Sequence, residues 1–377
     1  MLRPEDISGQ RLFAAYRVIG SAHEAAAQAE EIAIEQTVEF PSDLITDPLI
    51  RAEIFGRIES VEPVDTGGHE VRISYAVECV GGELTQLLNV LFGNISLKRG
   101  IRLVDFELPP GLMDEFRGPR FGREGLREKL DAPKRPLLCT ALKPLGLDAR
   151  QLADMAYEFA LGGIDIVKDD HGLANQRFCP FEARVARCAA AIAKASEKTG
   201  RPCLYFPNIT GPADTLRERA RFAKEAGAGG VMVSAGLTGF DVLRVLAEDD
   251  ELGLPVLLHP ALLGAFTVDR SHGIAYPPLF GLIARLAGAD AAIFPTYGGR
   301  FAYPRDECLG LARSSGRAMG GIRASFPVPA GGITVDRVPE LLDFYGRDVV
   351  LLIGGDLHRH PEGLVASCRE FRALVGG

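Results

Sequence analysis

The chain has 377 residues, 47% hydrophobic and 24% charged, with 42 basic against 50 acidic side chains and a net charge of −8. That length allows two or three domains with a sizeable core, and a negative chain without a Lys/Arg-rich stripe is not expected to bind nucleic acid. No apolar run reaches the roughly 18–20 residues that span a bilayer, MLRPEDISGQ is no secretion signal, and seven scattered cysteines without a C-x-x-C pair read as reduced thiols, so no membrane partner and a cytoplasmic location are expected.

In chain order, RLFAAYRVIG, IAIEQTVEF, EIFGRIESVEP and EVRISYAVECV carry strand-like patterns, and HEAAAQAEE and ELTQLLNVLFGN helical ones. They predict an N-terminal α+β domain of the ferredoxin-like kind over residues 1–125. The charged, Gly/Pro-containing PPGLMDEFRGPRFGREGLREKL reads as the link to a second domain.

From residue 136 short apolar runs alternate with longer amphipathic stretches: PLLCTALKP, IDIVKDD, PCLYFPNIT, GVMVSA, PVLLHP, AAIFPT, ASFPVPAGG and VVLLIGGD each precede a helical pattern. Apolar strands that alternate with helices make a parallel sheet, and eight units predict a (β/α)8 TIM barrel over 126–377 with a C-terminal helical extension. An open doubly wound sheet is the weaker alternative, because no G-x-G-x-x-G follows the first strand.

Barrel chemistry gathers at the C-terminal ends of the strands. Those ends carry Lys143, then Lys168-Asp169-Asp170-His171, Asn208, His259, Thr296, Gly331-Gly332 and Gly354-Gly355. Side chains alternate faces along a strand, so Ile164, Ile166, Lys168 and Asp170 share the interior face while Asp165, Val167 and Asp169 take the other. A lysine beside an aspartate is by itself a plain ion pair. With Lys143 and His259 at the same mouth, the group suits a divalent cation, Mg2+ being favoured by oxygen ligands. The glycine pairs after strands 7 and 8 allow backbone amides close to an anion, where barrels often hold a phosphate. Thr296 is counted with them as substrate-binding. The combination fits proton abstraction beside a carbonyl on a sugar phosphate, with enolate stabilisation.

The K-P of ALKPLGL, GGIDIVKDDHGLANQ, LLHP, TYGGR, PAGGI and IGGDLHRHPEG, in that order and spacing, resemble the large subunit of ribulose-1,5-bisphosphate carboxylase/oxygenase (Rubisco). The likeness covers the barrel and, through LLNVLFGN, the N-terminal domain. It implies that Lys168 takes up CO2 as a carbamate and binds Mg2+ with Asp170 and His171. It also implies that Lys143 moves protons at the substrate carbons, and that Asn94 reaches into the site of a second copy in a homodimer with shared active sites.

Departures from the family pattern carry information. The third metal ligand, an acid in the carboxylase, is His171. The groups of its second phosphate are replaced by Pro260, Ile293 and Ala330, so a second phosphate would be buried with few donors. The loop-6 lysine is Arg300, cationic but no proton donor near neutral pH. These changes resemble the Rubisco-like, non-carboxylating members and imply a sugar monophosphate substrate. Decarboxylation or transcarboxylation/hydrolysis of 3-oxo-isoapionate 4-phosphate in apiose breakdown is the first expectation, with Arg300 supporting the carboxylate. A 5-methylthioribulose-1-phosphate isomerase is the alternative, with Pro260, Ile293 and Phe294 around the methylthio group. The methionine-salvage enolase branch carries lysine where Asn94 stands. A sugar-phosphate binder without catalysis is the rival from another class; the retention of Lys143, Lys168, Asp170, Asn94 and both glycine pairs opposes it. His358 and His360 read as loop, and Glu30, Glu35 and Gln36 lie near the family's partner-facing N-domain acid.

Overall fold

Strand β1 (Arg11–Val18) alternates half-exposed and buried residues along its length, with Leu12, Ala14, Tyr16 and Val18 in the core. In the computed structural model, which describes residues 2–65, 67–301 and 303–376, β1 pairs antiparallel with β3 (His69–Ala76) and β4 (Ile101–Glu107), and β2 (Arg57–Pro63) flanks β3. Helices Ala22–Glu35 and Leu84–Phe92 complete a βαββαβ succession with strand order 4-1-3-2, the expected ferredoxin-like arrangement.

One expected strand is wrong. IAIEQTVEF continues the first helix to Glu35, because Ala25, Ala29, Ile32 and Ala33 are buried at helical spacing and the short I-A-I alternation hides that period. Ser21 and Glu24 form the capping box that starts this helix.

The chain divides into two units, and the division differs from a single cut at 125. The first takes 1–117 together with 263–279 and 319–322. The segment 263–279 brings β10 (Gly273–Ile274), which adds in parallel to β4. The helix Gly122–Lys129, read as linker, belongs to the second unit, where Leu126, Leu130 and Ala132 join the barrel interior.

In that second unit β5 (Leu137–Leu142), β6 (Ile166–Asp169), β7 (Leu204–Phe206), β8 (Val231–Val233), β9 (Val256–Leu258), β11 (Ala291–Pro295), β12 (Phe326–Ala330) and β13 (Val350–Ile353) lie in the order 7-6-5-13-12-11-9-8. A parallel bridge between Asn208 and Met232 joins the two ends, which gives the expected eight-stranded parallel barrel. Its interior is filled by Cys139, Ile166, Phe206, Met232, Leu257, Ile293, Phe326, Val328 and Leu352, with Ala291 and Val350. Burial of each large side chain is worth roughly 1.5–3 kcal/mol. The last helix, Leu364–Leu374, packs on Ala149–Gly162 as the eighth barrel helix. It is the last helix among the described residues.

The approach to β6 is set locally. Asp148 caps the helix Ala149–Gly162 and forms a capping box with Gln151. Gly163 ends that helix at φ 96°, a left-handed conformation that glycine adopts without a Cβ penalty. The chain then enters the barrel with Ile164 buried.

Candidate active site

Ile166 lies in the barrel interior, so Lys168, two residues on, points the same way and sits at the mouth. It is only 2% exposed, and its Nζ donates to the backbone oxygen of Asp169 at 3.0 Å. Burial pushes the amine pKa down, and the charge of Lys143 adds to the effect against the opposing pull of Cys139 and Asp170.

Asp170 gathers its neighbours. Its Oδ1 lies 3.3 Å from the Lys143 ammonium and 3.1 Å from Nδ1 of His171. Burial alone would raise this carboxyl. The His171 hydrogen bond and the charges of Lys143 and Lys168 outweigh it and hold Asp170 well below the usual carboxylate range.

His171 stacks on His259, ring centroids 4.6 Å apart and planes 14° from parallel. Burial, with the charges of Lys168 and His171, pushes the His259 pKa down to about 2. Its Nδ1 accepts from the amide of Ala261 at 3.1 Å. The neutral ring therefore carries its proton on Nε2, where it is a donor. Five predicted groups, Lys143, Lys168, Asp170, His171 and His259, thus meet at one mouth.

Asp169 faces the opposite way, as strand parity predicts, and is fully buried. It takes the Arg184 guanidinium at 3.0 Å, the Tyr205 hydroxyl at 2.7 Å and the amide of Asn208 at 2.9 Å. Arg184 also holds the carbonyls of Ala174 and Cys179, and Asn208 holds those of His171 and Leu173. This buried scaffold fixes the loop that carries His171. Asn208 was visible as a polar strand end; nothing in the sequence announced Arg184.

Thr296 is not a substrate ligand in this geometry. Ala291 and Ile293 face the barrel interior, so Thr296 falls on the outer face, buried, with its hydroxyl 2.8 Å from that of Tyr345. Phe294 has the same parity and meets the Tyr345 ring edge-on, so it does not line the mouth. Arg300 is exposed and lies over the Phe301 ring at 5.1 Å, and among the described residues it makes no hydrogen bond or ion pair with the mouth cluster.

Gly331 and Gly332 have φ of 89° and 79°, so turn geometry alone accounts for glycine there. A Cβ built on Gly331, Gly354 or Gly355 would meet no chain atom within 4 Å, which leaves the room that close approach of a ligand needs. Asn94, in the other unit, donates to Glu35 at 3.0 Å and Glu39 at 3.1 Å. Gln36 is no surface group: buried, it donates to the carbonyls of Asn89 and Val90 and accepts from the Ile95 amide.

Residues 122–375 match the family described as ribulose bisphosphate carboxylase large chain, catalytic domain. The chain belongs to the Rubisco large-chain family. It is 44% identical to ribulose bisphosphate carboxylase-like protein 1 of Rhodopseudomonas palustris, over 97% of this chain and 98% of that one. It is 40% identical to 5-methylthioribulose-1-phosphate isomerase of Rhodospirillum rubrum, over 97% and 96%. The solved Rubisco-like protein from Rhodopseudomonas palustris superposes with a TM-score of 0.86 at 40% identity, covering 97% of each chain. The Rubisco-like membership expected from the motifs is therefore established, as is the barrel with its mixed-sheet N-terminal domain. No helix among the described residues is long and apolar enough to cross a membrane.

Proposed function

We propose that this Rubisco-like chain isomerises a methylthio-ketose monophosphate of the 5-methylthioribulose-1-phosphate kind, by proton transfer through an enolate. The observation that carries the reading is the mouth cluster itself: a buried amine, an ionised carboxylate with a second lysine 3.3 Å away, and a neutral imidazole stacked on the neighbouring His171. Near end-to-end similarity to the Rhodospirillum rubrum isomerase supports this substrate class. The 3-oxo-isoapionate 4-phosphate reading needed Arg300 beside the substrate carboxylate, and Arg300 instead covers Phe301. Ile293 on the interior face and Pro260 next to His259 are apolar, which suits a thioether.

In this reading the carbon beside the substrate carbonyl loses its proton and the electron pair moves onto the carbonyl oxygen, which takes up a proton. The hydroxyl on the deprotonated carbon then gives up its own proton as the former carbonyl carbon is protonated, and the carbonyl moves one carbon along the chain. Lys143, half exposed and tied to Asp170, is the group placed to carry the proton. The Nε2–H of His259 is a neutral donor for the developing oxyanion. The Gly331–Gly332 and Gly354–Gly355 turns take the phosphate.

The donor set also bears on the cofactors implied by the family, Mg2+ and a CO2-derived carbamate. No group of three His, Cys, Asp or Glu side chains suited to a metal occurs among the described residues. Asp170 and His171 supply two donors, and the third has to be Lys168 once it carries a carboxylate. Its lowered pKa favours the neutral amine that reacts with CO2. On that condition the residues fit a divalent cation, which when bound would stabilise negative charge on the enolate oxygen. A homodimer with shared sites is part of the same proposal, read out by light scattering.

The test is NMR in D2O with Mg2+ and bicarbonate on 5-methylthioribulose 1-phosphate and 3-oxo acid monophosphates, with Lys168→Ala alongside. Deuterium should enter the methylthio sugar with the wild type and fall by about 10²–10⁴ in the variant. Release of CO2 from a 3-oxo acid instead would return the reading to decarboxylation. No exchange with any substrate would leave a sugar-phosphate binder.

A further inference from the structure

Arg337 stands outside the mouth cluster. It closes the 3-10 turn Val335–Arg337 after β12. Its Nη1 donates to the carbonyl of Gly332 at 2.8 Å and its Nη2 to that of Tyr297 at 2.9 Å. One guanidinium thus ties the loop after β11 to the glycine turn after β12.

The two loops touch along bare backbone. A Cβ at Gly299 would collide with the carbonyl oxygen of Gly331. Tyr297 is clamped as well: Arg305 lies over its ring at 4.4 Å, Arg337 at 5.7 Å, and its hydroxyl donates to Glu340 at 3.0 Å. Such a fork holds two peptide planes at once, which a single-point ammonium cannot do.

In a trans peptide the N–H points opposite to the C=O before it. Holding the carbonyls of Tyr297 and Gly332 therefore turns the amides of Gly298 and Ile333 away from the guanidinium. Among the described residues nothing accepts from the amides of Gly298, Gly332 or Ile333. Unpaired amides are ready donors to an anion, and behind these stands the Arg337 guanidinium, whose Nε lies 4.0 Å from Glu340.

We propose that Arg337 is the positioning residue of the phosphate end of the site, fixing the Gly298 and Ile333 amides as donors and placing its charge behind them. The inference rests on the proposed function, in which the glycine turn takes the substrate phosphate. Arg337 acts through the backbone and does not itself reach the reacting atoms.

The experiment is calorimetric titration of the full-length protein with inorganic phosphate, comparing wild type, R337Q, R337K and G332A, with melting temperatures and with KM and kcat on the active ketose phosphate. R337Q should raise Kd and KM about tenfold while kcat stays within a small factor. R337K should lie between, about threefold weaker than wild type, because it keeps the charge and loses the fork. G332A should weaken phosphate as well. Equal Kd for wild type and R337Q overturns the role of Arg337 and leaves the phosphate site standing. Failure of the wild type to bind phosphate, or binding indifferent to G332A, removes the phosphate reading and this inference with it. If R337Q does not fold, R337K decides alone, and an unchanged Kd there sinks the proposal.

Discussion

The two ends of the barrel use the same residue types to opposite effect. At the N-terminal end Asp165 accepts from Arg135 at 2.8 and 2.6 Å, from Arg372 at 3.1 Å and from the Leu138 amide at 2.8 Å. Asp290 accepts from the amides of Phe121, Gly122 and Val256 at 2.6–2.8 Å. Both buried carboxylates there are saturated by the chain itself. At the C-terminal end Lys168 has one backbone acceptor, Asp170 shares one oxygen between two partners, and Lys143 and His171 stay about half exposed. Saturated groups rivet strands to helices. Groups left with spare donors and acceptors can bind something else.

The largest effect on stability is expected at the riveted end. Asp165→Ala strands two arginines and an amide, and should cost about 3 kcal/mol in urea denaturation while turnover per folded molecule is unchanged. A matching loss of turnover would mean the two ends are not independent.

The open end should reveal itself through pH. His259 is neutral when folded down to about 2, whereas the unfolded chain binds a proton below about 6.5. Below that pH the unfolded state holds more protons, so stability is full above 6.5 and falls as the pH drops. Between pH 6.5 and 5 the wild type should lose about 2 kcal/mol from this group, and His259→Gln should remove that slope in urea titrations across the range. An unchanged slope would place the acid sensitivity elsewhere.

The smallest effect separates the faces of one strand. Thr296→Val deletes the hydrogen bond to Tyr345 and should cost about 1 kcal/mol with no change in KM. A raised KM would put Thr296 back among the substrate contacts.

Much of the barrel and its mouth was legible from residue order. Period-two alternation in IDIVKDD already separated Lys168 from Asp169, and the structure agrees on both faces. The same rule, applied to AAIFPT, turns Thr296 and Phe294 outward; a place at a strand end, which suggests Thr296, and an apolar neighbour of Ile293, which suggests Phe294, both ignore parity. IAIEQTVEF failed because a few alternating residues fit either period. Gln36 and Arg300 enter the site only through their position in a family pattern, and position in a helix end or loop does not say which way a side chain turns.

What the sequence by itself determined was the set of barrel strands, the alternation of faces within a strand, and the family, because these depend on spacing along one segment. Only the tertiary structure decided which groups meet. Arg184 comes from a helix to hold Asp169, Asn208 from β7's end to hold the His171 loop, and Arg337 from one loop to hold another. Such contacts join residues far apart in the chain, and their existence depends on barrel closure, which places neighbouring strand ends within hydrogen-bond reach.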